Sequence, residues 1–228
     1  MTIMFLPEHR APRLWQLISP TLPVGAYAYS AGLETAVADG GVRDAPSLAD
    51  WLAGQSWGVL AKVDLPVLLR LMAAWEAEDR EAVGYWTQWL RAARETAELR
   101  AEDEHMGRAL ARLLAALGEA DAGSWDAPGH ASWATLFALA ASRWGIPPEE
   151  AAAGYLWAWL ENQVAAGVKL IPLGQTVGQA VLFELAATLP EVVASARTLA
   201  DGALGAAAPG LAIASSRHET QYTRLFRS

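Results

Sequence analysis

A serine in the first quarter of the chain has the spacing of a hydrolase nucleophile. Residues 54–58 read Gly-Gln-Ser-Trp-Gly, which matches the G-x-S-x-G pattern. That pattern exposes its serine only where a strand turns sharply into a helix, with a histidine and a carboxylate beside it. The residues flanking Ser56 have helical spacing, and no strand-like alternation precedes them. We therefore favour a small-residue helical segment and keep a small all-α serine hydrolase as an alternative, which an ester-hydrolysis assay of Ser56→Ala would test.

A second candidate is the E-x-x-H sequence at Glu102–His105. A carboxylate-bridged di-iron bundle requires two such sequences and two further glutamates. Histidine occurs only at positions 9, 105, 130 and 218, so the chain has no second copy. We interpret the segment as a solvated helix face with charge pairs at helical spacing. With no cysteine, four scattered histidines also provide no tight soft-ligand metal site within one chain.

Four polar side chains between 161 and 179 stand out because they sit among small and apolar residues. These are Gln163, Lys169, Gln175 and Gln179. Unpaired polar groups are costly in apolar surroundings. Either they cap the helix ends that Pro172 creates, or they line an interface or a polar channel. The sequence leaves both interpretations open.

The segment 215–228 is unusual for the end of a chain, which is normally polar and poorly specified. Its apolar and charged members are Tyr222, Leu225, Phe226, Arg217, Arg224, Arg227 and the single acid Glu219. Aromatic, aliphatic and arginine side chains supply much of the binding energy at protein interfaces. We predict a partner-binding tail and favour a flexible arm that folds when it docks on a second protein over the alternative, a tail already packed against its own domain.

Composition excludes several classes of function. The formal net charge is −8 and no block of basic residues occurs, which argues against a binder of nucleic acid or anionic membranes. The first residues lack the pattern of a signal peptide, and the longer apolar stretches carry charges such as Glu161 and Lys169. The absence of cysteine fits a reducing compartment. We expect a soluble cytoplasmic protein.

The elements that must position these residues are helices. Alanine and leucine dominate, period-2 alternation is nearly absent, and proline and glycine interrupt long helical patterns. We predict a single all-α domain of eight to ten helices over residues 1–214, with the tail at 215–228. Ser47, Asp79 and Ser132 are expected at helix starts, Pro66 close to another, and Pro172 at a helix break.

Several collinear segments together resemble the UreF family of urease accessory proteins. They are LISPTLPVGAYAYSAGLE (17–34), RETAELR (94–100), MGR (106–108), LIPLGQTVGQ (170–179) and RHETQYTRLFRS (217–228). The likeness extends over nearly the whole chain, and its first and last segments are the most specific.

The resemblance implies an all-α, dimeric cytoplasmic chaperone that catalyses no reaction itself. Such proteins join the accessory protein UreD (also called UreH) and the GTPase UreG in an assembly that delivers nickel to apo-urease. No cofactor is then expected to bind this chain stably. Nickel would pass through the complex, and GTP with its magnesium would belong to UreG. The alternative is a generic helical scaffold protein without a role in nickel delivery.

The resemblance also implies two groups of partner-binding residues. The tail would dock on UreD through Arg217, His218, Glu219, Tyr222, Arg224, Leu225, Phe226 and Arg227. The platform for UreG would lie near the dimer axis and include Pro20, Pro23, Gly25, Glu34, Lys169, Gln175 and Gln179. Arg94, Glu95 and Arg100 belong to the shared segment 94–100 and are added as candidates.

Overall fold

The fold is known from a computed structural model that describes residues 10–205 and 208–228. Within these ranges the regular secondary structure is entirely helical, which confirms the all-α prediction. The α-helices are α1 (Arg10–Leu17), α2 (Leu33–Ala38), α3 (Ala45–Gln55), α4 (Leu65–Glu76), α5 (Arg80–Ala93), α6 (Ala97–Ala116), α7 (Trp133–Arg143), α8 (Pro148–Leu170), α9 (Gln175–Ala186), α10 (Leu189–Arg197) and α11 (Pro209–His218). Short 3₁₀ turns lie at Ala26–Ala28, Gly123–Trp125 and Asp201–Ala203.

Side-chain caps fix several helix starts. Asp79 accepts the backbone N–H of Ala82 at the start of α5, and Ser132 accepts that of Thr135 at the start of α7, as predicted. The prediction for Ser47 is wrong by three residues. Asp44 is the N-cap of α3, and Ser47 occupies the third helical position, where it completes a reciprocal capping box.

The helices α3 and α4 are joined without a break. A π-helical segment, Ser56–Asp64, connects them, so the chain stays helical where a new start was predicted near Pro66. Pro66 is the second residue of α4, a position that tolerates a missing backbone N–H. The π segment ends at Asp64, which is buried. Insertions of this kind re-aim side chains and often accompany functional sites.

The core is built around α7. All residues from Trp133 to Ala141 are buried, as expected for a helix that is apolar on every side. Gly107 lets α6 approach the start of α7, because a Cβ atom there would lie 2.5 Å from the carbonyl carbon of Ser132. The helix α4 covers another side, and Trp75 donates its indole N–H to the Thr135 carbonyl at 3.1 Å.

The long helix α8 ends at Leu170, and Pro172 separates it from α9, as predicted. Across the described ranges, no helix taken singly has both the length and the apolarity to cross a membrane. Only α9 and α10 taken together satisfy both criteria by length and composition, and a bend of 40° separates them.

The prediction of a flexible tail is wrong. Past α11 the chain returns to its own domain, where the Arg227 N–H donates to the Ala28 carbonyl at 2.8 Å. The Ser30 N–H donates to the Ser228 carbonyl at 2.9 Å, and Phe226 is buried. The predicted boundary at 214/215 falls inside α11. The tail is therefore packed against the helical domain.

Candidate functional site

Glu34 is the anchor of the tail. It lies in the first turn of α2 and is only 7% exposed. Its two carboxylate oxygens accept the backbone N–H groups of Leu225 at 2.7 Å and Phe226 at 2.9 Å. Hydrogen bonds to a buried carboxylate are stronger than those between neutral groups. Glu34 therefore fixes the backbone of the tail directly.

His218 connects three elements at the last residue of α11. Its ring is fully buried, with Nδ1 2.7 Å from a carboxylate oxygen of Glu98 on α6 and Nε2 3.3 Å from one of Glu34 on α2. An imidazolium donates to both carboxylates, whereas a neutral ring donates to only one. Arg224 donates to the second oxygen of Glu98 at 2.8 Å. Acidic residues on α2 and α6 thus hold basic residues of the tail.

The last residues of the tail are held in the same way. The aromatic ring of Phe226 is buried, and the ammonium group of Lys169 lies 5.6 Å from its centroid. The Ser228 hydroxyl donates to Glu102 at 2.7 Å, and the Ser30 hydroxyl donates to the Ser228 carbonyl at 2.5 Å. The inner edge of the tail is thus bonded to α2, α6 and the loop before α2, with Lys169 of α8 over Phe226.

The predicted tail residues divide into a buried and an exposed set. His218 and Phe226 point inward, as does their anchor Glu34. The exposed set is Arg217, Glu219, Tyr222, Arg224, Leu225 and Arg227. Tyr222 is completely exposed and Leu225 is 64% exposed. Docking therefore leaves an apolar and basic outer face on the tail, while the buried residues hold it in place.

The two segments predicted to form a platform do lie close together. Pro20, Gln175 and Gln179 line one cavity of about 340 Å³ between the 19–27 loop and α9. Gly25 has a φ of 80°, a left-handed conformation that favours glycine in this loop. Pro23, Lys169 and the two glutamines are exposed.

Of the four polar residues in the 161–179 run, Gln163 alone is buried. It has no exposed surface, and neither polar atom of its amide has a hydrogen-bond partner in the part of the chain that the structure describes. The structure also shows no side-chain cap at the start of α9. The capping interpretation is therefore not supported for Gln175.

A cluster of charges lies beneath the same cavity. Arg94 contacts both oxygens of Asp64, at 2.6 and 3.3 Å, and one oxygen of Asp103 at 3.3 Å. Tyr155 donates to Asp64 at 3.2 Å, and the Trp133 N–H donates to Asp103 at 3.1 Å. Of the predicted residues near it, Glu95 is exposed and Arg100 is half-buried. One guanidinium thus holds two buried carboxylates from different helices.

Burial and neighbouring charge shift the pKa values in this cluster. Burial disfavours charge on Arg94, but Asp64 and Asp103 outweigh it and hold the Arg94 pKa well above its usual range. Burial raises the pKa of Asp103, and its contact with Arg94 opposes that rise. For Tyr155, burial and then the charge of Asp64 raise the pKa well above normal. Glu102 has a pKa of about 7, chiefly because burial disfavours its carboxylate.

The interpretation of 102–105 as a solvated face is wrong for its first two residues. Glu102 is half-buried and bonded to Ser228, and Asp103 is 7% exposed. His105 is exposed, as expected, and its Nδ1 lies 3.0 Å from the Tyr29 hydroxyl. One signal could have identified Asp103, because it shares a helical stripe with Gly107 and Leu110.

The hydrolase alternative lacks the geometry it needs. Ser56 is 2% exposed and lies at the junction of α3 with the π-helical segment, where its hydroxyl donates to the Leu52 carbonyl at 2.9 Å. A nucleophile elbow requires a strand before the serine, and the described ranges contain none. Those ranges also contain no group of three or more His, Asp or Glu side chains arranged to hold a metal ion.

Comparison with known proteins agrees with the resemblance in the sequence. The UreF family profile matches residues 42–186. The urease accessory protein UreF of Alkalilimnicola ehrlichii is 59% identical over 216 residues, covering 95% of each chain. The protein of that name from Hahella chejuensis is 50% identical over 224 residues, covering 98% of this chain and all of its own. The chain belongs to the UreF family.

This membership confirms the resemblance seen in the sequence. The UreF family is a family of urease accessory proteins. The range that the UreF profile matches includes Asp64, Arg94, Asp103 and Lys169. Glu34 and the tail lie outside that range.

Proposed function

We propose that this UreF-family chain is a non-catalytic chaperone that bridges UreD/UreH and the GTPase UreG, as a homodimer, in a complex that delivers nickel to apo-urease. One observation carries the proposal: the tail is fixed along its inner edge and presents an apolar, basic outer face. A surface built in this way suits a partner-binding site rather than a catalytic one.

The outer face of the tail is the proposed site for UreD. Tyr222 and Leu225 offer apolar anchors, and Arg217 and Arg224, which stay exposed while paired with Asp39 and Glu98, add positive charge to the same segment. These residue types dominate the energetic centres of interfaces. Because Glu34 and His218 already hold the backbone, binding need not order it from a disordered state. Preorganisation of this kind improves affinity by lowering the entropic cost of association.

The proposed site for UreG is the exposed side of α9 together with the end of α8. Lys169, Gln175 and Gln179 are exposed there, and so is Phe183, at 83%. An exposed phenylalanine next to amide and ammonium groups has the mixed character of an interface. Sequence reasoning missed Phe183, although an aromatic residue on the polar side of an amphipathic helix is a detectable signal.

Nickel enters the proposal as cargo. The carboxylates of Glu95 and Glu102 line the 340 Å³ cavity together with the amide of Gln175, whereas Asp64, also in its lining, is held by Arg94 and Tyr155. Oxygen ligands of this type bind divalent cations without the tight grip of thiolates, which suits transfer rather than storage. GTP and magnesium remain on UreG in this scheme.

Reconstitution tests the function. Apo-urease, UreD, UreG, nickel and GTP are incubated with and without this chain, and nickel content and urease activity are measured. The proposal predicts nickel incorporation that depends on the chain, and a Lys169→Glu variant that folds normally but activates poorly. Lys169 also contacts the Phe226 ring, so any change at this position could loosen the tail. Lys169→Gln is the matched control, because it loses the same contact without reversing the charge. Equal nickel content of urease with and without the chain would contradict the proposed function and favour a generic scaffold protein.

A further inference from the structure

A second cavity, of about 330 Å³, lies between α6 and the tail and has the opposite charge character to the first. Its charged and titratable lining is His105, Arg108, Arg112, Arg227 and the two tyrosines Tyr27 and Tyr29. No carboxylate lines it, although the chain carries a net charge of −8. Positive charge concentrated in a concavity of an acidic protein points to an anionic ligand.

Internal pairing neutralises only part of this charge. Arg108 and Arg112 share a single carboxylate oxygen of Asp126, at 3.1 and 2.7 Å. Arg227 is exposed, and its guanidinium group interacts with the Tyr29 hydroxyl. Glu104 also interacts with Arg108, and Glu102 with Tyr29, but these carboxylates do not line the cavity, so its lining keeps an excess of positive charge.

We propose that this cavity binds a phosphate group. Planar guanidinium forks present paired N–H donors that match the oxygens of a phosphate, and several arginines around one concavity suit a dianion better than a monoanion. The Tyr29 hydroxyl lies beside them, 3.0 Å from His105 Nδ1, and lines the cavity with that ring. The recognised chemistry is a dianionic phosphate, whether inorganic or carried by a small monoester.

The site is assembled from two parts of the fold, and this gives phosphate a second effect. Arg108 and Arg112 come from α6, whereas Arg227 is brought in by the tail, whose backbone at that residue is bonded to Ala28. A phosphate bound between them ties the tail to α6. Because the site is complete only when the tail is docked, phosphate stabilises the docked state by linkage.

The test uses the full chain alone, so its outcome is independent of UreD, UreG and nickel. Calorimetric titration with inorganic phosphate is compared with sodium chloride at matched ionic strength, and a second titration uses glycerol phosphate. We expect saturable phosphate binding, weakened about tenfold or more in Arg227→Gln and in Arg112→Gln, as loss of charge-assisted hydrogen bonds implies. Arg43→Gln is the control, since it also removes one positive charge. The Arg43 side chain is 79% exposed and pairs with Asp44.

Hydrogen exchange provides the second measurement. Phosphate should slow exchange of the Leu225 and Phe226 amides in the wild type and leave it unchanged in Arg227→Gln. Equal affinity for inorganic phosphate and glycerol phosphate would show that the phosphate group alone is read, and tighter binding of the monoester would show that the cavity also holds its organic part. No binding beyond the chloride control, or wild-type phosphate affinity in both Arg227→Gln and Arg112→Gln, overturns the proposal. Because Arg227 is exposed, Arg227→Gln keeps the fold and makes that result decisive.

Discussion

The carboxylate of Glu34 accepts the backbone N–H of Phe226 at 2.9 Å across 192 positions of the chain. This bond, with its neighbour from Leu225, makes the tail part of the helical domain. It also separates the tail into two functions. The inner edge stabilises the docked state, and the outer face remains open to a partner. Substitutions on the two sides should therefore have different consequences.

Replacing Glu34 with Gln should loosen the tail. The amide nitrogen of Gln removes one of the two acceptors for backbone N–H groups and the charge that faces His218. Loss of a charged buried acceptor costs about 1–3 kcal/mol. We expect lower stability in urea and faster hydrogen exchange at Leu225 and Phe226. The exposed Glu219→Gln is the control, and indistinguishable exchange in the two variants would contradict the anchoring role.

Replacing Arg94 with Gln should be far more damaging. The change leaves two buried carboxylates, Asp64 and Asp103, facing each other without their shared cation. Breaking a buried ion pair from one side typically costs about 3–5 kcal/mol. Chemical denaturation measures this cost. The surface pair of Arg43 and Asp44 offers the comparison, since Arg43→Gln should leave stability nearly unchanged. Similar costs in both variants would rule out a buried cluster.

Two glycine-to-alanine substitutions should change the stability of the protein in opposite directions. In Gly107→Ala the new methyl group meets the backbone of Ser132, which cannot move aside easily, so a loss of about 1–3 kcal/mol or more is expected. Gly84 lies inside α5 with open space around its Cβ position. Gly84→Ala should raise stability by about 0.5–1 kcal/mol through higher helix propensity. Thermal melts of both variants check the close contact between α6 and α7. A Gly107→Ala variant as stable as wild type would contradict that contact.

The pH dependence of stability should reflect Glu102. Burial raises its pKa in the folded protein to about 7 from an ordinary value of 4.5. Between these values the folded chain keeps a proton that the unfolded chain has released, so stability falls as pH rises through this window and levels off above it. Glu102→Gln should lose this pH-dependent contribution to stability. The stability of the variant relative to wild type should therefore be higher at pH 8 than at pH 5. Parallel urea curves for wild type and variant would contradict the shift, and the exposed Glu95→Gln should behave as wild type.

Most of the helices could be predicted because their signals are local. Proline, glycine and capping residues act on neighbours along the chain, and so Asp79, Ser132 and Pro172 were placed correctly. Ser47 was misplaced because both Asp44 and Ser47 are good capping residues, and only the structure shows which one begins the helix. The join between α3 and α4 was missed because a π-helical insertion has no clear composition of its own.

The candidate site could be predicted only in part, because its contacts are long-range. Tyr155 and Asp64 are separated by 91 positions, and no local pattern reports that they meet. The residue types of the tail led to the prediction that it binds a partner, and that stays a prediction. Its docked state depends on Glu34 and Glu98, whose side chains look like ordinary helix-start acids in the sequence.

The affinity of UreD for variants of the outer face tests whether the docked tail is the binding site for UreD. The double variant Tyr222→Ala, Leu225→Ala removes two exposed side chains and leaves the backbone contacts to Glu34 in place. Ile213→Ala, an exposed apolar side chain on α11, is the matched control. Measured by surface plasmon resonance, the double variant should keep wild-type stability and bind UreD at least about 100-fold more weakly, as loss of two interface anchors implies. Wild-type affinity in the double variant would contradict the account.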